Sequence, residues 1–348
     1  MKRVLMTADT IGGVWTFALD LARGLESVGT NIALATMGKK LDSGQRADAE
    51  QIPNLEIFES DFKLEWMQDP WDDVRRAGDW LLSLEAGLKP DVVHLNTLAH
   101  GALPWEAPSI VTGHSCVLSW WAAVKHESAP SEWDRYREEV KASLQAADLV
   151  TAPSQVMLHE LQNLYGLHRD GMVIPNGRDF RCEQRSKEPL IFAAGRLWDE
   201  AKNTAALERI APRLPWPVYV SGEQRHPDGG VAMAPSTRSL GRLPAAELAA
   251  WYSRASIYTL PARYEPFGLS ILEAALSGCA LVLGDIPSLR EVWGDAALWV
   301  APEDDSQLES ALWFLIADET RREEFGARAR QRAERFTPER MLEGYLAA

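Results

Sequence analysis

Short apolar runs recur along this chain, and the stretches between them return to apolar residues at helical intervals. Val4 to Ala8 reads as a buried strand, and Gly12-Gly13 follows it as a loop. Val14, Phe17, Ala18, Leu21, Ala22 and Leu25 then fall on one helical face, so a helix should pack back on the strand. Further strand-like runs are Asn31 to Thr36, Leu55 to Phe58, Asp91 to Leu95, Ser109 to Thr112, Asp148 to Ala152 and Met172 to Ile174. Helical stretches separate several of them, notably Trp71 to Leu88 and Ser131 to Ala147. Alternation of this kind predicts an α/β fold with a parallel, doubly wound sheet.

The alternation pauses at Pro175-Asn176-Gly177-Arg178 and a polar stretch from Cys182 to Pro189, then restarts. Strands are expected at Leu190 to Ala194, Val218 to Val220, Ile257 to Leu260, Ala280 to Leu283 and Leu298 to Val300. Helices are expected at Ala201 to Ala211, Ala245 to Ser253 and Leu269 to Ser277. A chain of 348 residues exceeds the size at which one core stops growing. We therefore expect two Rossmann-like domains, 1–178 and 179–336, facing a cleft at the carboxyl ends of their strands. The last segment, 337–348, reads as an amphipathic helix packing back on the first domain through Met341, Leu342 and Tyr345.

Composition narrows the function. A formal charge of −14 argues against non-specific binding to nucleic acid or to an anionic membrane surface. Cys116, Cys182 and Cys279 form no CxxC pair and read as reduced thiols without a metal. The first apolar run stops at Asp9, unlike a signal peptide, and no run is long enough to span a bilayer. A cytoplasmic location is the expectation.

The stretch Glu265-Pro266-Phe267-Gly268-Leu269-Ser270-Ile271-Leu272-Glu273 carries the most chemistry. A strand, a glycine turn and a helix start bring free backbone N–H groups and a partial positive charge to one point, a ready anion site. Carboxylates beside an anion would be repelled by it, so they are better explained as acceptors for sugar or ribose hydroxyls next to a phosphate. Phe192 to Asn203 repeats the strand, glycine loop and helix start, and adds Arg196 and Lys202. A forked guanidinium with a mobile ammonium could neutralise a diphosphate without a metal. The Asp-x-Asp metal signature is absent, so no metal is expected. A blander alternative stays open, with Arg196 and Lys202 as solvated charges paired to Asp199 and Glu200.

In order along the chain stand Gly12-Gly13, Thr112-Gly113-His114, Ile174-Pro175-Asn176-Gly177, Gly195-Arg196-Leu197 to Lys202, Val220-Ser221-Gly222 and Glu265 to Glu273. Together they resemble the retaining glycosyltransferases of the GT-B fold, glycosyltransferase family 4 (group 1). The resemblance implies transfer of a hexose from a nucleotide-diphosphate sugar, UDP-glucose-like first and GDP-mannose next, to a hydroxyl of a sugar, glycan or glycoconjugate. It implies that Gly13 lets backbone approach the donor phosphate, and that Arg196 and Lys202 hold the diphosphate. Glu265 and the backbone at Phe267 and Gly268 would orient hydroxyls of the transferred sugar. The amides of Leu269 and Ser270 would touch the distal phosphate, Glu273 the ribose, and His114 the sugar near its reacting carbon. Arg242 and Leu243 would lie near the base. The leaving phosphate itself would take the acceptor's proton, so Glu265 and Glu273 are not the carboxylate pair of a retaining glycosidase.

Fourteen tryptophans are many, and aromatic faces stack on sugars. Trp15, Trp120 and Trp121 are the candidates for an acceptor groove, against core packing for Trp80, Trp251 and Trp313. His94, inside a strand, reads as a buried structural histidine. Two departures from the family pattern border the donor site: Ser115-Cys116 after His114, where many relatives are acidic, and Glu223-Gln224-Arg225-His226 after Gly222. The segment from Asp61 to Trp80, on the acceptor-facing side in such enzymes, fits no general pattern. A nucleotide-sugar epimerase or hydrolase, or a non-catalytic nucleotide-sugar-binding subunit, are the competing readings.

Overall fold

The structure is a computed structural model that describes residues 2–168, 170–180, 185–226, 229 and 235–348. The chain divides into two compact units, Met1–Gly177 with Pro338–Ala348, and Arg178–Thr337.

The first unit is built on strands β1 (Arg3–Asp9), β2 (Asn31–Met37), β3 (Leu55–Glu59), β4 (Val92–Leu95), β5 (Ser109–Thr112), β6 (Leu149–Ala152) and β7 (Met172–Val173). All pair in parallel, in the order β3-β2-β1-β4-β5-β6-β7. The second unit is built on β8 (Glu188–Ala194), β9 (Val218–Ser221), β10 (Arg238–Ser239), β11 (Ala255–Leu260), β12 (Ala280–Gly284) and β13 (Leu298–Val300). It is parallel throughout, in the order β10-β9-β8-β11-β12-β13. Each sheet starts in its middle, winds one way for three strands and then the other. The direction reverses between β1 and β4, and again between β8 and β11. At such a switch point the flanking loops leave on opposite faces and open a crevice at the carboxyl ends of the strands.

Helices cover both faces of these sheets, so central strands are buried on both sides. β11 and β12 are buried along their whole length. This is why the strands read as continuous apolar runs rather than alternating ones. β10 is the exception. It has two residues, both exposed, at the sheet edge, and no apolar run announces it.

The helix expected over Ala201 to Ala211 is interrupted. A single turn at Glu200–Lys202 is followed by Asn203 at φ 53°, and the helix proper runs Thr204–Ile210. The Asn203 side chain donates to the carbonyls of Pro261, at 2.9 Å, and Pro302, at 2.7 Å. Asparagine tolerates this left-handed backbone, and its amide fastens the β8 loop to the loops after β11 and β13.

The helix Pro338–Ala347 packs on the helix Gly13–Ser27 in the first unit. Gly24 leaves room there, since a Cβ at its position would stand 3.3 Å from the Cβ of Leu342. Met341 is buried, and Leu342 and Tyr345 complete the apolar seam. Cys116 and Cys279 are buried thiols that form no disulfide among the described residues, while Cys182 lies outside them. Among the described residues no helix is long and apolar enough to cross a membrane.

Candidate active site

In the second unit three glycines bring the loops after β8, β9 and β10 together. Gly195 N–H donates to the carbonyl of Ser221 at 3.0 Å, and Gly222 N–H to that of Gly241 at 2.9 Å. Gly222 has φ +146°, and a Cβ there would stand 1.6 Å from the Gly195 carbonyl oxygen. Only glycine fits, because backbone occupies the place of a side chain.

The β8/β11 switch point collects the charged residues. Lys202 Nζ meets Glu265 Oε2 at 2.6 Å, each side chain 13% exposed. Arg196 donates to Asp199 at 2.9 Å. Of the blander expectation half is present, Arg196 with Asp199. Lys202 instead crosses to Glu265, a residue 63 positions away. Glu265 is itself largely buried. Its carbonyl accepts from Ser288 Oγ at 2.7 Å, which fixes the loop from a third element.

Gly268 follows at φ +91° and caps the helix Leu269–Leu276. The first carbonyl-directed amides of that helix are those of Ile271 and Leu272, both to Gly268. Among the described residues the amides of Leu269 and Ser270 have no acceptor. They are the orphan donors of a helix start, with the positive end of its dipole behind them. The Phe267 ring is buried and packs edge-on against Phe336, so only its backbone faces this loop. The Tyr258 hydroxyl donates to the Ala194 carbonyl at 3.1 Å and stands 2.8 Å from Ser270 Oγ, tying β8 to the helix start.

Glu273 lies deeper, and Arg178 Nε meets its Oε1 at 2.6 Å. The Tyr252 hydroxyl is pushed well above its ordinary pKa, by burial first and then by the charge of Glu273. Arg242, exposed, and Leu243, half-buried, follow Gly241 at φ +65° on the same carboxyl edge.

In the first unit the β1/β4 switch point carries its own polar cluster. Gly13 is exposed and opens the helix Gly13–Ser27. Asn96, just past β4, donates through Nδ2 to the Thr7 carbonyl at 2.8 Å, which turns its Oδ1 toward His114 Nε2 at 2.9 Å. Because Oδ1 only accepts, His114 carries its proton on Nε2 and keeps a lone pair on Nδ1. The ring lies edge-on to Phe17, centroids 4.5 Å apart, and burial drives its pKa down to about 3. His94 is also held at about 3, by burial first and then by His114, and its Nε2 stands 2.7 Å from Thr112 Oγ1. The Tyr345 hydroxyl reaches the same Thr112 Oγ1 at 3.3 Å.

Both histidines are therefore neutral at physiological pH. A histidine neutral in the fold but free to charge when unfolded stabilises the protein fully above its ordinary pKa of 6.5. That stability drains away as pH falls from there toward about 3. His94, 3% exposed, should add about 1.4 kcal/mol per pH unit to the slope inside this window. Denaturant titrations at pH 7, 6 and 5 should show the unfolding free energy falling with pH. The fall should be shallower in His94→Gln, and an unchanged slope there refutes the assignment.

One expected acceptor residue is corrected. Trp15 is 6% exposed and packs in the core among Phe17, Leu19 and Ala22, because its place on the helix Gly13–Ser27 faces the sheet. It cannot line an acceptor groove. Trp120 and Trp121 are only partly buried, edge to face at 5.9 Å, with Lys125 Nζ 5.7 Å from the Trp120 ring. Trp313 is no core residue either, at 42% exposed.

Sequence reading missed three of the partners that hold these groups: Asn96, Ser288 and Arg178. It also missed Glu65, from the stretch without a family pattern, whose Oε1 accepts from Leu98 N–H at 2.8 Å. Burial raises the Glu65 pKa, with the Leu98 amide opposing and Asp9 adding to it. A polar residue in a loop just past a strand was the available signal for Asn96 and Arg178.

A family model described as Glycosyltransferase Family 4 matches residues 11–181, and one described as Glycosyl transferases group 1 matches residues 232–332. The glycogen synthase of Mycobacterium tuberculosis is 29% identical over 313 residues, covering 82% of this chain and 74% of the relative. Sucrose-phosphate synthase of Thermosynechococcus elongatus superposes with a TM-score of 0.80 at 18% identity, over 100% of this chain and 98% of that one. Anabaena HepE, solved with UDP-glucose, gives 0.77 at 16% identity, over 100% and 99%. Two parallel doubly wound units with these loops match the GT-B fold of glycosyltransferase structures. The chain belongs to the group 1, family 4 glycosyltransferases.

Proposed function

We propose that this glycosyltransferase moves a hexose from a UDP-sugar, UDP-glucose foremost and GDP-mannose next, to an acceptor hydroxyl with retention at the anomeric carbon. The observation that carries the reading is the Lys202–Glu265 pair at the β8/β11 switch point, with Arg196 on the same loop and two orphan amides at Leu269 and Ser270. Cations and amides suit a diphosphate, and the carboxylate suits the hydroxyls of the sugar attached to it. The solved HepE complex with UDP-glucose, alike in fold, supports this choice of donor.

In this reading Arg196, Lys202 and the two amides take up the charge that grows on the diphosphate as the anomeric C–O bond breaks. Glu265 orients sugar hydroxyls, held in place through its Ser288-bound carbonyl. Glu273 accepts from the ribose, and Arg242 and Leu243 flank the base. Gly13 admits the donor phosphate to the backbone. His114 meets the donor sugar near the reacting carbon and offers a neutral Nδ1 acceptor rather than a positive charge. The acceptor oxygen bonds to the anomeric carbon on the face the phosphate leaves, and its proton passes to the leaving phosphate oxygen. No metal takes part. Trp120 and Trp121 offer aromatic faces to the acceptor.

Thermal unfolding in EDTA with UDP, GDP, ADP and their common sugar conjugates tests this. At 100 times its dissociation constant a ligand adds about 2.7 kcal/mol, a shift of a few degrees. UDP and UDP-glucose are expected to give the largest shifts. A panel without any shift removes the donor site, and a shift that needs added magnesium removes metal independence.

A further inference from the structure

The carboxylate assigned to the ribose is not free in the fold. Arg178 Nε stands 2.6 Å from Glu273 Oε1, with side chains 17% and 8% exposed. Arg178 is the first residue of the second unit, directly after the Pro175-Asn176-Gly177 turn. Its backbone is pinned, since its N–H donates to the Phe336 carbonyl at 3.1 Å. Its guanidinium lies 5.7 Å from the centre of the Phe180 ring, and Phe180 packs edge-on against Tyr252 at 5.6 Å. Phe336 in turn packs on Phe267 and Trp293. Arg178 is thus a rigid cation aimed at one carboxylate.

A carboxylate offers about four lone-pair positions on two oxygens, so it can accept from a guanidinium and from a ligand's hydroxyls at once. The cation matches the charge of a buried carboxylate and limits rotation about its last bond. We infer that Arg178 is a positioning residue for nucleoside recognition. By holding the Glu273 carboxylate oriented, it sets the preference for ribose over 2′-deoxyribose in the bound nucleotide. The inference rests on the donor reading above, in which Glu273 faces the ribose.

The test is calorimetric binding of UDP and of 2′-deoxy-UDP to the full chain and to Glu273→Gln, Arg178→Met and Arg178→Lys. A hydrogen bond to a charged group predicts a wild-type preference for UDP of roughly 10- to 100-fold. Glu273→Gln should reduce it to a few-fold. Arg178→Met should do the same although Glu273 is still present, mostly by weakening UDP and with little effect on 2′-deoxy-UDP. Arg178→Lys keeps the charge without the fork and should retain a reduced preference. An undiminished preference in Arg178→Met overturns the inference and leaves the donor reading standing. Should that variant not fold, an undiminished preference in Arg178→Lys does the same. A wild type without preference, or Glu273→Gln with a full one, overturns the ribose assignment itself and the inference with it.

Discussion

Lys202→Ala lowers turnover by roughly 10²- to 10³-fold, the expected loss when one donor to a developing oxyanion is removed. The drop should fall on kcat more than on KM, because the charge it meets grows only as the bond to phosphate breaks. From sequence this looks like a surface change of under about half a kcal/mol in stability. The fold says otherwise. Lys202 and Glu265 are each 13% exposed and 2.6 Å apart, so removing the lysine strands a half-desolvated carboxylate. The variant should also unfold at lower temperature. The double variant Lys202→Ala/Glu265→Gln separates the two effects. Removing the stranded charge should recover stability but not turnover. Unchanged kcat in Lys202→Ala defeats the diphosphate assignment.

Gly222→Ala is expected to cost roughly 3 kcal/mol or more, and donor binding with it. A methyl group 1.6 Å from the Gly195 carbonyl oxygen forces the β8 and β9 loops apart, in a backbone conformation that side chains avoid. The displaced Gly195 loop is the one that carries Arg196 and Lys202. Gly87→Ala is the matched control. It lies in the helix Trp71–Leu88 with nothing within 4 Å of a new Cβ, and should stabilise by about 0.5–1 kcal/mol. Denaturation midpoints of the two variants should therefore move in opposite directions. If Gly222→Ala unfolds like wild type and still binds nucleotide, the close approach of the loops is not what shapes the site.

The contrast between these positions shows what could be read from the chain. Long strands such as β11 and β12 were legible because burial on both faces demands an unbroken apolar run. β10 was not, being two exposed residues held only by pairing with β9. The break at Asn203 escaped because its reason lies in the carbonyls of Pro261 and Pro302, far along the sequence. At the site the residue types and spacings of Arg196, Lys202, Glu265 and Glu273 stood out locally. Their partners did not, since Glu265 with Lys202 and Glu273 with Arg178 are pairings made by the sheet, not by neighbours. Trp15 shows the reverse error. Its aromatic character suggested a sugar, while the fold buries it in the core although it was not among the residues read as the helix's apolar face.

The return of the helix Pro338–Ala347 to the first unit has a consequence for how the protein is made. Strands β1 to β7 leave the ribosome long before the second unit, yet the face of the helix Gly13–Ser27 around Gly24 stays bare until Leu342 and Tyr345 arrive. Until then the Thr112 hydroxyl beside His94 also lacks the Tyr345 hydroxyl. The unit begun first is closed last, so synthesis of the second unit is complete before the unit that carries His114 acquires its final packing.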